Sequence, residues 1–209
     1  MLLIPEQFFG FLAAAVLITL APGPDNLMVL AVGISRGRAR GIVFGLGCAL
    51  GCLSHTVLAA LGVSALIAAS PIAFLCLKVG GGLYLIWLGV QALRSDGRIQ
   101  LAKADGADDS LWRLFAKGLL ANAINPKVIL FFLSFLPQFV LAEHGSVGWQ
   151  TVQLGLVFMV QAAVLFAALG FFSGVVGQWL QRNARVGVWL DRLTGTLFVA
   201  LGLRLMVVR

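Results

Sequence analysis

The residues with chemistry to offer sit in two polar interruptions of otherwise apolar segments, Ala21-Pro22-Gly23-Pro24-Asp25-Asn26 and Asn122-Ala123-Ile124-Asn125-Pro126-Lys127. Pro22 and Pro24 lack amide hydrogens and restrict their neighbours, so a helix running from about Phe8 is expected to end near Ala21 and restart around Asp25. The first half-helix then leaves carbonyls without donors, and the second leaves amides without acceptors. In the other interruption Asn125 suits an N-cap and Pro126 the first helical position, which sets Lys127 beside an amide-rich, partially positive helix start. A zwitterion fits such a place: its carboxylate would take amides and the Lys127 ammonium, and its amino group would take carbonyls and the Asp25 carboxylate. The competing reading is that Asp25 and Lys127 neutralise each other, with Asp25 also capping its own half-helix. Both arrangements can hold in different conformations.

The elements that position these residues are membrane spans. Of 209 residues, 60% are hydrophobic and 11% charged, with a mean hydropathy of +1.01; no soluble core of this size needs so much apolar surface. The charge-free runs 42–77 and 145–181 each exceed the roughly 20 apolar residues of a single span. The expected fold is all-α and integral to a membrane, one domain of about six spans near residues 7–34, 42–67, 72–93, 114–139, 148–175 and 187–208. The first and fourth are broken by proline. Hydrocarbon has no water for freed backbone groups, so a break at that depth lies inside protein or lines a cavity. Thr19-Leu20-Ala21 faintly resembles a signal-peptide cleavage site, but residues 1–10 carry no Lys or Arg and Pro22 follows directly, so the first span is expected to be retained.

The net charge of +7 would suggest nucleic acid in a soluble protein, but the cations alternate along the chain. Arg36, Arg38 and Arg40 fall between spans one and two; Arg94, Arg98, Lys103 and Arg113 between three and four; Arg182 and Arg185 between five and six. The second and fourth connections have none. The positive-inside rule makes the odd-numbered loops cytoplasmic and turns both termini outward. A general phosphate-binding patch would not alternate in this way. A solvated cytoplasmic linker, about 95–110, separates halves of about 1–94 and 111–209, and three spans per half give them opposite orientations, as two inverted repeats. Gly82 with Leu88-Gly89-Val90-Gln91 matches Gly195 with Leu201-Gly202-Leu203-Arg204 at one offset.

Other polar residues admit two readings each. His55, following Gly47 and Gly51 at helical spacing, could carry a coupling proton or sit neutral and hydrogen-bonded between helices. Lys78 could snorkel outward or pair inside. Gln161 lines the pathway or bridges helices. Gly41 with Gly45, Gly47 with Gly51, and Gly170 with Gly174 are expected to bring helices close. Gly80-Gly81-Gly82 lacks the Lys-Ser/Thr of a phosphate loop. The five tryptophans fall mostly near span ends, as interfacial anchors do. Cys48, Cys52 and Cys76 all lie in the first half with no Cys-x-x-Cys pair, which weighs against a redox carrier. His55 and His144 lie in different environments, so no metal site is expected.

Pro22-Gly23-Pro24-Asp25-Asn26, Lys78 with Gly81, Tyr84-Leu85 and Gly89, and Asn125-Pro126-Lys127 followed by Phe131-Phe132 and Phe135-Leu136-Pro137-Gln138-Phe139 resemble the LysE/RhtB family of amino-acid exporters along the whole chain. The resemblance is closer to the homoserine, threonine and leucine branch than to the basic-amino-acid branch. It implies a multi-pass protein of the bacterial inner membrane that exports amino acids or close derivatives, driven by the proton motive force. No enzyme activity and no cofactor are implied, and self-association is left open. The rival readings are a passive channel for amino acids or other small solutes, and a membrane redox carrier.

Overall fold

The computed structural model describes residues 3–96 and 109–207, and every regular element in them is helical. Helix α1 (Pro5–Leu20) breaks into α2 (Pro24–Arg36) with a bend of 56°. Helices α3 (Arg38–Ala69) and α4 (Pro71–Arg94) complete the first half. Helix α5 (Leu111–Ala123) breaks into α6 (Pro126–Leu130), which continues through a π turn (Phe131–Phe135) and a 3-10 turn (Leu136–Phe139), with a bend of 49° between the two arms. A 3-10 turn at Ala142–His144 leads to α7 (Val147–Phe171), α8 (Ser173–Arg182) and α9 (Ala184–Val207).

Burial runs opposite to that of a soluble protein. Gln7, Asp25, His55, Asn122, Lys127 and Gln161 are buried, while Leu61, Ile72, Trp112 and Val164 are at least 64% exposed. Such an outer surface suits hydrocarbon. Among the described residues, three unbroken helices are long and apolar enough to cross a membrane, and five spans result if each bent pair counts as one. The third expected span corresponds to α4, a helix of 24 residues. All five tryptophans are exposed, as bilayer anchors require.

Two expectations need correction. The fifth span stops at Phe171 rather than near 175, because Phe172 leaves helical geometry (φ −90°, ψ 8°) and α8 starts as a separate amphipathic helix. Ser173 packs onto Gly33, and Gly177 onto Ile34, so α8 lies along α2. Gly174 faces open space and is not part of a packing face, although Gly170 rests against the backbone of Gly41 and Ile42. The linker expected at 95–110, including Arg98 and Lys103, falls mostly outside the described residues.

Close helix approach follows the small residues. On α3, a Cβ at Gly47 would stand 2.1 Å from the Phe115 carbonyl, and one at Gly118 of α5 would stand 2.1 Å from the Phe44 carbonyl. Helices α4 and α9 meet reciprocally: Gly82 lies against the Gly202 carbonyl and Gly202 against that of Gly82, while Gly89 and Gly195 do the same.

At the cation-rich end, Asp109 joins α2 to α5. Its carboxylate takes Lys117 Nζ at 2.7 Å and Arg36 Nη1 at 3.0 Å, with Arg113 at 3.5 Å. The Ser110 hydroxyl beside it accepts the Arg113 amide and caps α5. Hydrogen bonds from Lys117 and then Arg36 hold the Asp109 carboxyl down to about 2.

Two outcomes test this packing. Gly195→Ala should lower the melting temperature of detergent-solubilised protein, since its Cβ would meet the Gly89 carbonyl at 2.6 Å, and overpacking typically costs about 1–3 kcal/mol. Gly174→Ala, facing open space, should be neutral or stabilising by the helix propensity of alanine. For Asp109 the folded pKa lies below the unfolded one, so its stabilisation is complete above about pH 4 and disappears as pH falls towards 2. The melting-temperature difference between wild type and Asp109→Asn should therefore be constant near neutrality and vanish over that acidic interval.

Candidate functional site

Each proline removes the donor for a carbonyl four residues earlier, and in each break a side chain from elsewhere replaces it. Pro22 cannot donate to the Ile18 carbonyl; Lys127 Nζ does so at 3.1 Å and also donates to the Ala21 carbonyl at 3.0 Å. Asn26 Nδ2 donates to the Thr19 carbonyl at 2.9 Å. Pro126 cannot donate to the Asn122 carbonyl, which instead takes the Asn125 amide at 2.9 Å and has His55 Nε2 3.0 Å away. A carbonyl only accepts, so His55 carries its proton on Nε2. The buried His55 Nδ1 has no hydrogen-bond partner among the described residues.

Asn122 is the hub. Its Nδ2 donates to Asp25 Oδ2 at 2.7 Å, and its Oδ1 lies 3.4 Å from the Cys52 thiol. Gly51 lets it come this close, since a Cβ there would stand 2.9 Å from Asn122 Cβ. Asp25 Oδ1 is buried without a partner. The acid lies in the first turn of α2, where the helix dipole favours negative charge, but the N-cap is Gly23. Asp25 therefore does not cap its own half-helix.

The structure also separates the two charges. Among the described residues no ion pair within 4.0 Å joins Asp25 to Lys127; the ammonium is held by α1 carbonyls and the carboxylate by Asn122. Gly23 makes room for the lysine, whose Nζ would stand 2.8 Å from a Cβ at that position. At the start of α6, Asn125 Oδ1 accepts the Lys127 amide at 3.0 Å, while the Val128 and Ile129 amides bond to the Asn125 carbonyl. This helix start caps itself, so its amides are not left open for a ligand as the sequence had suggested.

Two cavities share Lys127. An enclosed cavity of about 10 Å³ is lined by Thr19, Asp25, Asn122, Lys127, Phe131 and Phe166 among others, and has room for about one water molecule. An open vestibule of about 740 Å³ runs from Pro22-Gly23-Pro24 and Asn125-Pro126-Lys127 past Tyr84 and Leu88 to Gln91, Ser95 and Asp191. It therefore leads toward the end of α4 marked by Arg94. On the other side the enclosed cavity meets a cluster of tilted and edge-on rings: the Phe131 and Phe132 centroids lie 5.4 and 5.0 Å from that of Phe158, and Phe11 lies 5.9 Å from Phe131. Beyond them Gln7 donates to Gln150 Oε1 at 2.6 Å and to the Phe139 carbonyl.

Of the remaining expected residues, Gln161 bridges α7 to α1, donating to Thr19 Oγ1 at 2.9 Å. Lys78 is half-buried on α4 and lines neither cavity. Sequence reasoning missed the phenylalanine plug, Thr19 and Asp191. A carboxylate within the last expected span was the available signal for Asp191.

Gly23→Ala tests the lysine's placement. The methyl group would meet only the end of a flexible side chain, so the protein should insert and fold, while Nζ is displaced from the Ile18 and Ala21 carbonyls. The expected outcome is normal membrane abundance with a melting temperature below that of wild type, in line with a loss of about 1.5–3 kcal/mol for hydrogen bonds to a charged group. An unchanged melting temperature would show that this placement is dispensable.

The family model described as LysE type translocator matches residues 16–209. The leucine efflux protein of Enterobacter sp. (strain 638) is 32% identical over 200 residues, covering 95% of this chain and 94% of that protein. The threonine efflux protein of Escherichia coli (strain K12) is 31% identical over 198 residues, covering 91% and 92%. A homoserine/homoserine lactone efflux protein of Salmonella typhimurium is 29% identical over 197 residues, covering 94% of each chain. No solved structure gives a significant match. With the match spanning both proline breaks and nearly the whole chain, the protein belongs to the LysE type translocators, a family of membrane transporters and not of enzymes.

Proposed function

We propose that this protein exports neutral amino acids, such as threonine, homoserine or leucine, or their derivatives, across the bacterial inner membrane in exchange for protons. The observation that carries this reading is a buried ammonium, Lys127, at the inner end of an open vestibule, with the buried carboxylate of Asp25 beyond it and unpaired to it. Ionisable groups at such depth are costly and mark pathways. The relatives named for leucine, threonine and homoserine efflux agree in substrate class.

In this reading α1–α2, α3 and α4 form one half of three spans and α5–α6, α7 and α9 the other, inserted with opposite orientation and both termini outside. The reciprocal glycine contacts of α4 and α9 support a two-fold relation, because Gly82 and Gly89 occupy the positions that Gly195 and Gly202 occupy in the other half. The vestibule then opens to the cytoplasm, and the rings around Phe131 and Phe158 close the external side. The substrate carboxylate displaces α1 carbonyls from Lys127, its amino group engages Asp25, and protonation of Asp25 from outside releases it. His55 holds the Asn122 carbonyl in place, and protonation of its free ring nitrogen is the alternative to protonation of Asp25 as the coupling step.

Closure at one end favours a carrier over a passive channel. Purified protein in vesicles, given radiolabelled threonine, homoserine and leucine under an imposed pH gradient, should drive at least one of them against its concentration gradient. Flux indifferent to the pH gradient would instead identify a channel. Asp25→Asn combined with Lys127→Gln should keep expression but abolish coupled export; coupled export surviving in that double variant would remove both residues from the mechanism.

A further inference from the structure

The vestibule carries a second charged group that the motifs do not contain. Among the described residues of its lining, Asp191 on α9 is the one acidic side chain and Lys127 the one basic side chain. Asp191 is half-buried and has no hydrogen-bond or salt-bridge partner among the described residues. Tyr84 and Gln91 of α4 and Thr194 of α9 add neutral polar groups, and Leu27, Met28, Leu88 and Phe198 supply apolar wall. The volume of about 740 Å³ lies within the ordinary range of small-molecule sites.

A carboxylate and an ammonium in the lining of one polar and apolar chamber form a charge pattern matched to a zwitterion. Asp25 cannot serve substrate at this stage, because it lines the enclosed cavity behind Lys127 and its Oδ2 is already bonded to Asn122. We propose that Asp191 is the substrate-recognition residue of the vestibule, binding the α-ammonium of a neutral amino acid and orienting the molecule with its carboxylate toward Lys127. The apolar wall takes the side chain. This rests on the exporter reading. The ligand class is a zwitterion with a free amino group, and an N-acylated amino acid lacks the group that Asp191 recognises.

The test uses the full-length protein in vesicles, with uptake and efflux measured separately for L-leucine and L-threonine, and N-acetyl-L-leucine as competitor. Asp191→Asn, at a position without a protein partner, should fold normally and raise the KM from the vestibule side about tenfold, the effect of losing a charged hydrogen bond. The maximal rate, the KM from the opposite face and the dependence on the pH gradient should change less than about twofold. Wild type should prefer leucine to N-acetyl-leucine, and the variant should lose most of that preference. Asp191→Glu should recover much of the wild-type KM, which a purely structural role would not give. An unchanged KM and preference in Asp191→Asn, with wild type active, would overturn the role of Asp191 and leave the exporter reading standing. Equal rises in KM from both faces, or loss of maximal rate alone, would also overturn it. Failure of wild type to move any amino acid would overturn the exporter reading, and this inference with it.

Discussion

The whole arrangement depends on one constraint: a carbonyl deprived of its helical donor cannot turn to water inside a bilayer. Each such group left unsatisfied costs several kcal/mol on the order of an apolar transfer. Pro22 orphans the Ile18 carbonyl, which Lys127 fills from the opposite half of the chain; the Asn122 carbonyl, denied a donor at Pro126, takes the Asn125 amide and His55 of the opposite half. The two breaks are thus joined to each other by the defects that proline creates.

That solution also sets the electrostatics. Lys127 spends its ammonium on α1 carbonyls, and Asp25 spends one oxygen on Asn122, so the two charges share a cavity without a direct ion pair. A buried ion pair would have been a stable trap, since breaking one typically costs about 3–5 kcal/mol. Neutral dipoles hold each charge with less commitment and can be exchanged for a ligand's polar groups one at a time. The other oxygen of Asp25 is buried and has no hydrogen-bond partner among the described residues.

Around this centre the packing is asymmetric. Glycines bring α3 against α5 and α4 against α9 until backbones touch, which leaves the vestibule between the α4–α9 pair and the breaks. Phenylalanine rings fill the equivalent space on the other side. Three of the rings, Phe131, Phe132 and Phe135, stand on the π turn at Phe131–Phe135.

Much of this was legible in the chain alone. Hydropathy required a membrane, Pro22, Pro24 and Pro126 located both breaks to within a residue or so, and Asn125 with Pro126 announced the start of α6, because these effects act within four residues of their cause. The glycine offset between Gly82 and Gly195 likewise survives as physical contact between α4 and α9. What sequence could not decide was which partner each group would take. Asp25 and Lys127 read as a pair by charge, yet side-chain reach and competing carbonyls give Lys127 to Ile18 and Ala21 and give Asp25 to Asn122. His55 became a donor to Asn122 only because α3 packs against α5 closely enough, through Gly47, Gly51 and Gly118, to place the ring there. Asp191 acquired meaning only when folding placed it in the same chamber as Lys127. Local backbone chemistry is written in order along the chain, whereas the partnering of charges is settled by distances that exist only after the helices have packed.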